Sequence, residues 1–500
     1  MQIVIVGGGT AGWMTTFYLS HANPHHTYYN ISSDEIPIIG VGEGTTAKFT
    51  NTFSHWVDLN ELMLGTGGLP KLGIKFKDWP TDFNSPIDGT YTQDYFIDYS
   101  SYVKPTSPFG VMMDKHKSPY IRKGNNLEFN TTSAHAMHID AYKTAEFFKS
   151  RSIQNGVKYI ESTVKDKILV AGDTYRIGSL VLYNGDTIEG DLFIDCSGFS
   201  RVLSEDSPWI SYSKQLITDR AFVYDIPTKD DKMEYTTATA MNNGWRWEIP
   251  TVNKIGRGYV YSSKFADEDT IKKELEETHN TSVDKIKLLE FKPGRMVKFI
   301  DGNVVSIGLS SGFLEPLQAT SIHCAIVQLE TFFSEFMFDL SLLDDLCLVG
   351  RYNDNMAKLY DEMRDFVFLH YTGGRDDTDF WKYVSETPMP HRVKELLDLT
   401  KSRLIRSYDF DNAMMGSVGQ ESWNHILSGL GHFNSDLIDT VFKANDTTVS
   451  WWKEQIDNYE NEIETRMKDN LSAQELKLNI DMSLKSLQNT GEVVVNNQSI

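Results

Sequence analysis

The first thirty residues alternate between apolar runs and a glycine cluster in an order that is typical of one class of fold. Residues 3–6 (IVIV) form the β-branched run expected of a fully buried parallel strand. Glycines with the spacing GxGxxG follow, residues 11–20 (AGWMTTFYLS) have a helical pattern, and a second strand is predicted at residues 26–31. A strand, a glycine turn and a helix in this order predict a pyrophosphate site, because the helix start offers unpaired N–H groups.

Each position of the glycine turn has its own expected role. Gly7 makes the tight turn, Gly9 lets the backbone approach the phosphates, and Gly12 lets the helix pack close to the strand. The acidic residue expected about 20 residues later, for the ribose hydroxyl, is replaced, because the register of the second strand puts Ser32 there. The nucleotide-binding residues expected here are Gly7, Gly9, Thr10, Ala11, Gly12 and Ser32.

Small residues at three further strand ends favour FAD over NAD. Residues 40–45 (GVGEGT), 192–199 (LFIDCSGF) and 304–313 (VVSIGLSSGF) each follow or end a predicted strand. Such loops let the backbone approach a long, flat ligand in several places, as an extended FAD would require. The further FAD-binding residues expected are Gly40, Val41, Gly42, Glu43, Gly44, Gly308, Gly312 and Phe313.

The segments without glycine loops predict a second module. Residues 81–130 and 216–290 are rich in aromatic and polar residues, and residues 341–480 have a largely helical pattern. We therefore expect an α/β protein that joins a Rossmann-like flavin module with a mixed sheet to a mainly helical substrate module. The expected boundaries are 1–80, 131–215 and 291–340 for the flavin module, 81–130, 216–290 and 341–488 for the substrate module, and 489–500 for a polar tail.

Composition narrows the class of partner. The 500 residues include 69 acidic and 48 basic side chains, a net charge of −21. This balance argues against nucleic acids and anionic membranes as partners, because both are bound through Lys and Arg. No apolar run reaches the roughly 18 residues that span a bilayer. Three cysteines without a CxxC pair favour neither disulfides nor a metal site, so a cytoplasmic protein is expected.

Three segments carry a more specific signal. Residues 244–250 (GWRWEIP) contain the pattern WxWxIP, and residues 70–79 (PKLGIKFKDW) and 364–381 (RDFVFLHYTGGRDDTDFW) accompany it. Together with the glycine loops, they resemble the flavin-dependent tryptophan-halogenase family. A broad-acceptance member of the viral or marine type fits as well as a tryptophan-specific one. The resemblance spans residues 1 to about 381, and the last ~120 residues carry no matching motif.

The resemblance implies a two-component halogenase. A separate NAD(P)H-dependent flavin reductase would supply reduced FAD, which reacts with O2 and a halide ion to give hypohalous acid. This acid would pass through the protein to a lysine and halogenate an electron-rich aromatic ring, such as an indole or a phenol. No nucleic-acid or membrane partner is implied, and a homo-oligomer is left open.

The lysine that matches the family motif is Lys71. An ammonium group can hydrogen-bond hypohalous acid, and a desolvated amine could instead form a haloamine. Lys75 and Lys77 are rivals, since in one continuous strand all three lysines would share a face. Trp245 and Trp247 would also share a face and form a wall that keeps the organic substrate from the flavin, with Ile249 and Pro250 completing the motif.

The family binds its halide through backbone groups at the positions that match Thr320 and Ser321. Apolar residues at helical spacing from Ile322 to Phe336 predict a helix here, with Thr320 as its N-cap. The N–H groups at the start of such a helix favour an anion.

One departure from the family pattern concerns the catalytic machinery. Tryptophan-specific members read EPLEST where this chain reads Glu315-Pro-Leu-Gln318-Ala-Thr320, so Gln318 replaces a catalytic carboxylate. An amide can orient hypohalous acid or the lysine, but it cannot take a proton from the ring. Three alternatives follow: water or another group takes the proton, the substrate is limited to electron-rich rings, or catalysis is impaired. Glu315 is a candidate substitute.

Two other functions remain as alternatives. A single-component flavin hydroxylase shares the GxGxxG fold, but it has no need of WxWxIP or of Lys71. A non-catalytic FAD-binding protein would accommodate both Gln318 and Ser32.

Overall fold

The computed structural model describes residues 1–40, 43–88, 107–124, 126–131, 134–227, 234–279, 286–402, 405, 407–410, 418–433 and 446–490. The expected flavin contacts Val41 and Gly42 lie outside these residues.

Strands dominate the first three hundred residues. In chain order they are β1 (Gln2–Val6), β2 (Thr27–Ser32), β3 (Glu43–Gly44), β4 (Leu69–Lys71), β5 (Gly73–Lys77), β6 (Phe83–Pro86), β7 (Lys117–Lys123), β8 (Asn126–Phe129), β9 (Ala136–Ile139), β10 (Lys158–Glu161), β11 (Val164–Leu169), β12 (Ile177–Leu182), β13 (Thr187–Glu189), β14 (Leu192–Asp195), β15 (Trp209–Ser211), β16 (Arg220–Pro227), β17 (Tyr235–Met241), β18 (Gly244–Pro250), β19 (Lys254–Tyr261), β20 (Lys287–Glu290), β21 (Gly294–Met296), β22 (Ile300–Asp301), β23 (Val304–Ser306), β24 (Gly312–Phe313) and β25 (Asn470–Ser472).

Helices are the main elements after residue 320, and some also come earlier in the chain. In chain order they are α1 (Thr10–Ala22), α2 (Ala47–Phe53), α3 (Leu59–Thr66), α4 (Pro108–Lys115), α5 (Ala141–Gln154), α6 (Glu268–His279), α7 (Thr320–Phe336), α8 (Leu346–Leu369), α9 (Asp379–Glu386), α10 (His391–Thr400), α11 (Gln420–Gly429), α12 (Asp446–Arg466) and α13 (Ala473–Thr490).

The amino-terminal strand lies at the centre of the nucleotide-type sheet. Its strand order is β10-β2-β1-β14-β23-β22, and all neighbours are parallel except the hairpin of β22 and β23. Ile3, Val4 and Ile5 are fully buried, as a central strand covered on both faces requires. The observed β1, α1 and β2 confirm the predicted strand, turn and helix to within two residues at each end. The fold class is the predicted α/β class with a mixed sheet.

A second sheet brings together parts of the chain that lie far apart in sequence. Its seven strands have the order β20-β16-β19-β18-β17-β5-β6, with β17 and β5 parallel and the other pairs antiparallel. Residues 216–290, which were assigned to the mainly helical module, therefore consist chiefly of strands, and their described part contains the single helix α6. Segments such as 235–241 (YTTATAM) are rich in β-branched and aromatic residues, which favour strands. Most of the helices of the expected module lie after residue 341.

The chain passes from one sheet to another directly after Lys71. Strands β3, β9 and β4 form a small antiparallel sheet that contains Lys71. Leu72 then donates its N–H to the carbonyl of Glu234, at 2.7 Å, and β5 begins in the seven-stranded sheet. The prediction that Lys71, Lys75 and Lys77 share one face of one strand is therefore wrong. Lys71 is 2% exposed, whereas Lys75 and Lys77 are half-buried.

The two expected modules share a hydrophobic core. One cluster of buried side chains runs from Ile3 in β1 to Ile480 in α13 and includes Trp245 and Phe366. The proposed boundaries between the modules remain predictions. Within the described ranges, no helix is long and apolar enough to cross a membrane, and no group of His, Cys, Asp and Glu side chains has metal-binding geometry.

The close contact between α1 and the glycine turn yields a stability prediction. A Cβ atom on Gly12 would lie 2.1 Å from the Gly7 carbonyl oxygen. We expect Gly12→Ala to lower the free energy of unfolding by about 2 kcal/mol or more, because backbone would have to move. Gly350→Ala is the matched control. Its Cβ would meet nothing within 4 Å inside α8, so it should raise stability by about 0.5–1 kcal/mol. Equal effects of the two changes in urea unfolding would contradict this account.

Candidate active site

The glycine turn has the geometry of a phosphate-binding loop. Gly7 has φ +138°, and a Cβ atom there would lie 2.2 Å from the carbonyl oxygen of Cys196. Gly9 precedes α1 with extended backbone, and a Cβ atom there would meet no protein atom within 4 Å. The turn is therefore tight where the chain packs on itself and open at Gly9, which leaves space for a ligand beside the helix start.

The register of β2 puts Ser32 at the carboxyl end of that strand, the position expected to face the ribose. Ser32 ends β2 and is 9% exposed, and its hydroxyl donates to Asn30 Oδ1 at 3.0 Å. The Ser32 oxygen remains an acceptor for a ligand hydroxyl. Asp34 lies farther out, where it accepts from Lys149 at 3.2 Å.

The second glycine loop joins the nucleotide turn to the lysine. Thr10 Oγ1 donates to Glu43 Oε2 at 3.3 Å, and desolvation raises the pKa of this half-buried carboxyl to about 7. A Cβ atom on Gly40 would lie 3.3 Å from Glu43 Oε1, and one on Gly44 would lie 3.2 Å from Lys71 Nζ. The short strand β3 is therefore in contact with α1 at one end and with Lys71 at the other.

The strand-end loop near residue 308 packs against α1. Gly308 has φ +79°, and a Cβ atom there would lie 2.9 Å from Ala11 Cβ. Gly312 makes room for Tyr360, whose ring would lie 2.5 Å from an added Cβ atom. The packing of this ring therefore explains why a glycine stands here. The ring of Phe313 lies edge-on to that of Phe199, with 5.4 Å between centroids. The structure thus gathers Ala11, Gly308 and Phe313 at the carboxyl end of the nucleotide-type sheet.

The two motif tryptophans form a buried wall. Trp245 is 1% exposed and Trp247 is 5% exposed, and their ring centroids are 6.0 Å apart. Both lie on β18, which ends with the buried Ile249 and Pro250. Gly258 on β19 makes space for the indole of Trp247, because an added Cβ atom would lie 1.9 Å from it.

A carboxyl group anchors this wall. Glu315 is fully buried and accepts from Trp245 Nε1 at 3.2 Å, from Thr218 Oγ1 at 2.7 Å and from the Tyr371 hydroxyl at 2.8 Å. Burial raises the pKa of Glu315 to about 7. Its three donors hold this side chain against the tryptophans, which weakens its candidacy as the substitute for the missing catalytic carboxylate.

Lys71 opens into a cavity of about 240 Å³. Its Nζ donates to the Thr45 carbonyl oxygen at 2.9 Å, and burial lowers the pKa of the amine to about 7. The residues that line this cavity include Thr45, Lys71, Gln318, Thr320, His323 and Phe366. The structure therefore brings Lys71 and Gln318 together in one cavity, with the start of α7 beside them.

The start of α7 differs in detail from the prediction. The predicted N-cap Thr320 is wrong, because Thr320 is the first helical residue and Ala319, with φ 57°, is the cap. Gln318 also has positive φ, at 66°, so two successive left-handed residues turn the chain into the helix. Thr320 Oγ1 is buried and has no hydrogen-bond partner among the described residues. The helix start thus combines unpaired N–H groups around Thr320 and Ser321 with an unpartnered hydroxyl, as a small anion would require.

Comparison with known proteins decides the family. A model of the tryptophan halogenase family matches residues 2–445. The chain belongs to the tryptophan halogenase family. The tryptophan 7-halogenase RebH of Lentzea aerocolonigenes is 30% identical over 483 residues, which cover 86% of this chain and 89% of RebH. The tryptophan 6-halogenase SttH of Streptomyces toxytricini is 31% identical over 453 residues, which cover 81% of this chain and 84% of SttH.

The solved structures agree with this assignment. Tar14, a tryptophan C-6 flavin-dependent halogenase (chlorinase) from taromycin biosynthesis, superposes with a TM-score of 0.86 at 25% identity, covering 96% of this chain and 99% of Tar14. The predicted family and fold class are confirmed, and the chain is an enzyme of the flavin-dependent halogenase class.

Sequence reasoning missed several partners of the halogenase site. Thr218 and Tyr371 complete the Glu315 cluster, and His370 binds Gln318. His370 and Tyr371 stand in the segment 364–381 that carried the resemblance, but that segment does not show what they contact. Phe199 had a signal in the sequence LFIDCSGF, where an aromatic residue follows the strand end.

Because the space at Gly9 is open, we expect a substitution there to weaken flavin binding with little effect on stability. Gly9→Ala should change the free energy of unfolding by less than about 1 kcal/mol, because the added methyl group meets only empty space. It should weaken FAD binding at least about tenfold, since the methyl group would occupy the path of the pyrophosphate. Fluorescence titration with FAD measures the second effect, and unchanged affinity would refute this role of Gly9.

The buried amine of Lys71 predicts a pH-dependent stability. Its pKa of about 7 lies below the ordinary 10.5, so between these values the unfolded chain binds a proton that the folded chain lacks. The Lys71 contribution to stability should therefore rise with pH through this window, by up to about 1.4 kcal/mol per pH unit. Urea unfolding of the wild type and of Lys71→Met measures it as the difference between the two proteins. A difference that stays constant from about pH 7 to 9 would contradict the burial of a titrating amine.

Proposed function

We propose that this protein halogenates an electron-rich aromatic ring, using reduced FAD, O2 and a halide ion, by way of hypohalous acid held at Lys71. The observation that carries the proposal is the position of Lys71. It is a buried amine in a cavity that also contains Gln318 and the start of α7, and it is separated from the nucleotide turn only by β3.

The described residues fit a flavin. Gly9 offers open space at the start of α1, Thr10 and Glu43 lie beside it, and Ala11 and Gly308 meet at the end of the sheet. When bound there, reduced FAD supplies the oxidising chemistry, with O2, that turns halide into hypohalous acid. A separate flavin reductase would deliver the reduced flavin, and the unpaired groups around Thr320 and Ser321 would hold the halide.

The tryptophan wall explains why halogen rather than oxygen would reach the substrate. Trp245 and Trp247 are almost completely buried, and Glu315 accepts a hydrogen bond that fixes the indole of Trp245. A wall of this kind excludes an organic ring from the flavin side, whereas hypohalous acid is small enough to pass. This barrier disfavours direct hydroxylation, which needs contact between substrate and flavin.

At the lysine, the reaction is electrophilic substitution. The Lys71 ammonium donates a hydrogen bond to the oxygen of hypohalous acid and makes the halogen more electrophilic. The ring attacks the halogen, the halogen–oxygen bond breaks, and the oxygen takes a proton from the Lys71 ammonium and leaves as water; the proton that the ring loses restores the ammonium by way of water. The ring then loses its own proton, so that ring and hypohalous acid give halogenated ring and water.

The identity of residue 318 affects which group can accept the proton that the ring loses in the last step. Gln318 can hold hypohalous acid by hydrogen bonding, but it has no proton-accepting pKa near neutrality. The ring proton then leaves by way of water, which favours substrates whose rings lose it readily, such as indoles and phenols.

Mass spectrometry of a mixed panel of indoles and phenols tests this function. Each reaction contains the protein, FAD, NADH, a flavin reductase and one of chloride, bromide or iodide, with a catalase-treated control. We expect a mass gain of halogen minus hydrogen, which Lys71→Met lowers at least about a hundredfold by removing the group that activates the acid. Lys75→Met is the matched control, since Lys75 lies on the neighbouring strand β5 and should leave turnover within about twofold.

The other outcomes each have a defined meaning. Oxygen insertion in place of halogen would identify a hydroxylase. Equal halogenation by wild type and Lys71→Met would mean that hypohalous acid escapes into solution, and would refute the role of Lys71. Binding of FAD without product from any ring or halide would favour the non-catalytic alternative.

A further inference from the structure

His370 is a buried imidazole directly behind Gln318. It follows the last residue of α8 and is 1% exposed, with the rings of Phe76 and Phe366 packed at 5.3 and 5.2 Å between centroids. Its Nδ1 lies 2.9 Å from the Phe366 carbonyl oxygen, and its Nε2 lies 2.8 Å from Gln318 Nε2. Both ring nitrogens therefore have a protein partner.

These partners decide which nitrogen carries the proton. A carbonyl oxygen can only accept, so Nδ1 must donate to Phe366. Burial lowers the pKa of His370 to about 4, so the ring is neutral near pH 7 and has a single N–H group. Its Nε2 consequently presents a lone pair to Gln318.

The lone pair in turn decides how the Gln318 amide points. Only the NH2 end of an amide can donate to Nε2, so this end faces His370. The carbonyl oxygen Oε1 is then the end left for the cavity that Gln318 and Lys71 line. The two left-handed residues, Gln318 and Ala319, bring the backbone to this position.

We propose that His370, as its neutral Nδ1–H tautomer, is a positioning residue that makes Gln318 present a hydrogen-bond acceptor to the reaction cavity. Its catalytic consequence rests on the proposed function. Hypohalous acid has one O–H donor, which Gln318 Oε1 accepts, while Lys71 donates to the oxygen. The two contacts together fix the direction of the halogen. If the Gln318 amide were flipped by a half turn, its NH2 group would face the cavity and compete with Lys71 as a donor to the same oxygen.

Gln318 and a neutral His370 thus form a matched pair. A carboxylate at position 318 would place an acceptor against the Nε2 lone pair at 2.8 Å. That contact is stable only if His370 takes a second proton, or if the carboxyl group keeps its own. Gln318→Glu is therefore expected to change the protonation of His370, although it restores the acidic residue of the tryptophan-specific relatives.

Nitrogen NMR of the histidine-labelled full chain tests the tautomer without any turnover. We expect His370 in the wild type to show a protonated Nδ1 and an unprotonated, hydrogen-bonded Nε2. His135 serves as an internal reference, because its Nδ1 meets the Ala136 carbonyl at 2.6 Å and its Nε2 meets the Tyr120 hydroxyl at 3.0 Å. Gln318→Met should remove the hydrogen bond at His370 Nε2, and Gln318→Glu should add a proton to the pair, while the His135 signals stay in place. A protonated Nε2 in the wild type would overturn the proposal.

Steady-state kinetics tests the consequence for catalysis. His370→Leu removes the acceptor, and it should lower kcat about tenfold or more with KM for the aromatic substrate changed by less than about threefold. His370→Gln keeps an acceptor oxygen in the same place and should recover most of the lost kcat. Equal losses in both variants, or wild-type kcat in His370→Leu, would refute the positioning role.

The two proposals fail in distinguishable ways. If the wild type halogenates nothing, the proposed function fails, and the NMR signals still decide how His370 and Gln318 are oriented. If His370→Leu does not fold, the Gln318→Met and Gln318→Glu spectra decide the same point.

Discussion

The buried amine of Lys71 is the constraint on which the rest of the site depends. An amine 2% exposed and held by one backbone carbonyl is costly in its charged form, so it is retained only where surrounding structure fixes it. That structure is the change of sheet at Leu72. Because β4 pairs with β9 and β5 pairs with β17, the lysine is fixed where the small sheet of β3, β9 and β4 meets the seven-stranded sheet.

The neighbours of Lys71 connect it to two parts of the candidate site. On one side, β3 links it to Glu43, Thr10 and the glycine turn. On the other, the cavity holds Gln318, whose direction depends on His370. The tryptophan wall and its Glu315 anchor are buried, and under the proposed function they keep the ring from the flavin, so that a halogenating agent meets it instead. The positions of these side chains depend on hydrogen bonds between groups that are distant in sequence.

The local parts of this structure could be predicted from the sequence. The strand, glycine turn and helix from residue 2 to 22 depend on neighbouring residues only, and the observed bounds agree. Lys71, Gln318 and the paired tryptophans were found through the family motifs, and the structure places the first two in one cavity. The shared face of Trp245 and Trp247 follows from the period of a strand, and it is observed.

The parts that failed depend on contacts between distant residues. Thr320 has the better capping side chain, yet Ala319 takes the left-handed cap, because the preceding turn at Gln318 dictates the backbone. Residues 216–290 form strands β16 to β20, which pair chiefly with one another, and β17 also pairs with β5, which precedes it by more than a hundred residues. Nothing in the sequence near Gln318 reveals His370, which lies 52 positions later and reaches it only through the packing of α8.

Direct titration of Lys71 measures the central constraint. Carbon NMR of the full chain, labelled at the lysine Cε atoms and assigned with Lys71→Met, follows this amine alone. We expect a midpoint near the pKa of about 7 that burial gives this amine. A midpoint near 10.5, the ordinary value for lysine, would show a solvated ammonium and contradict the account.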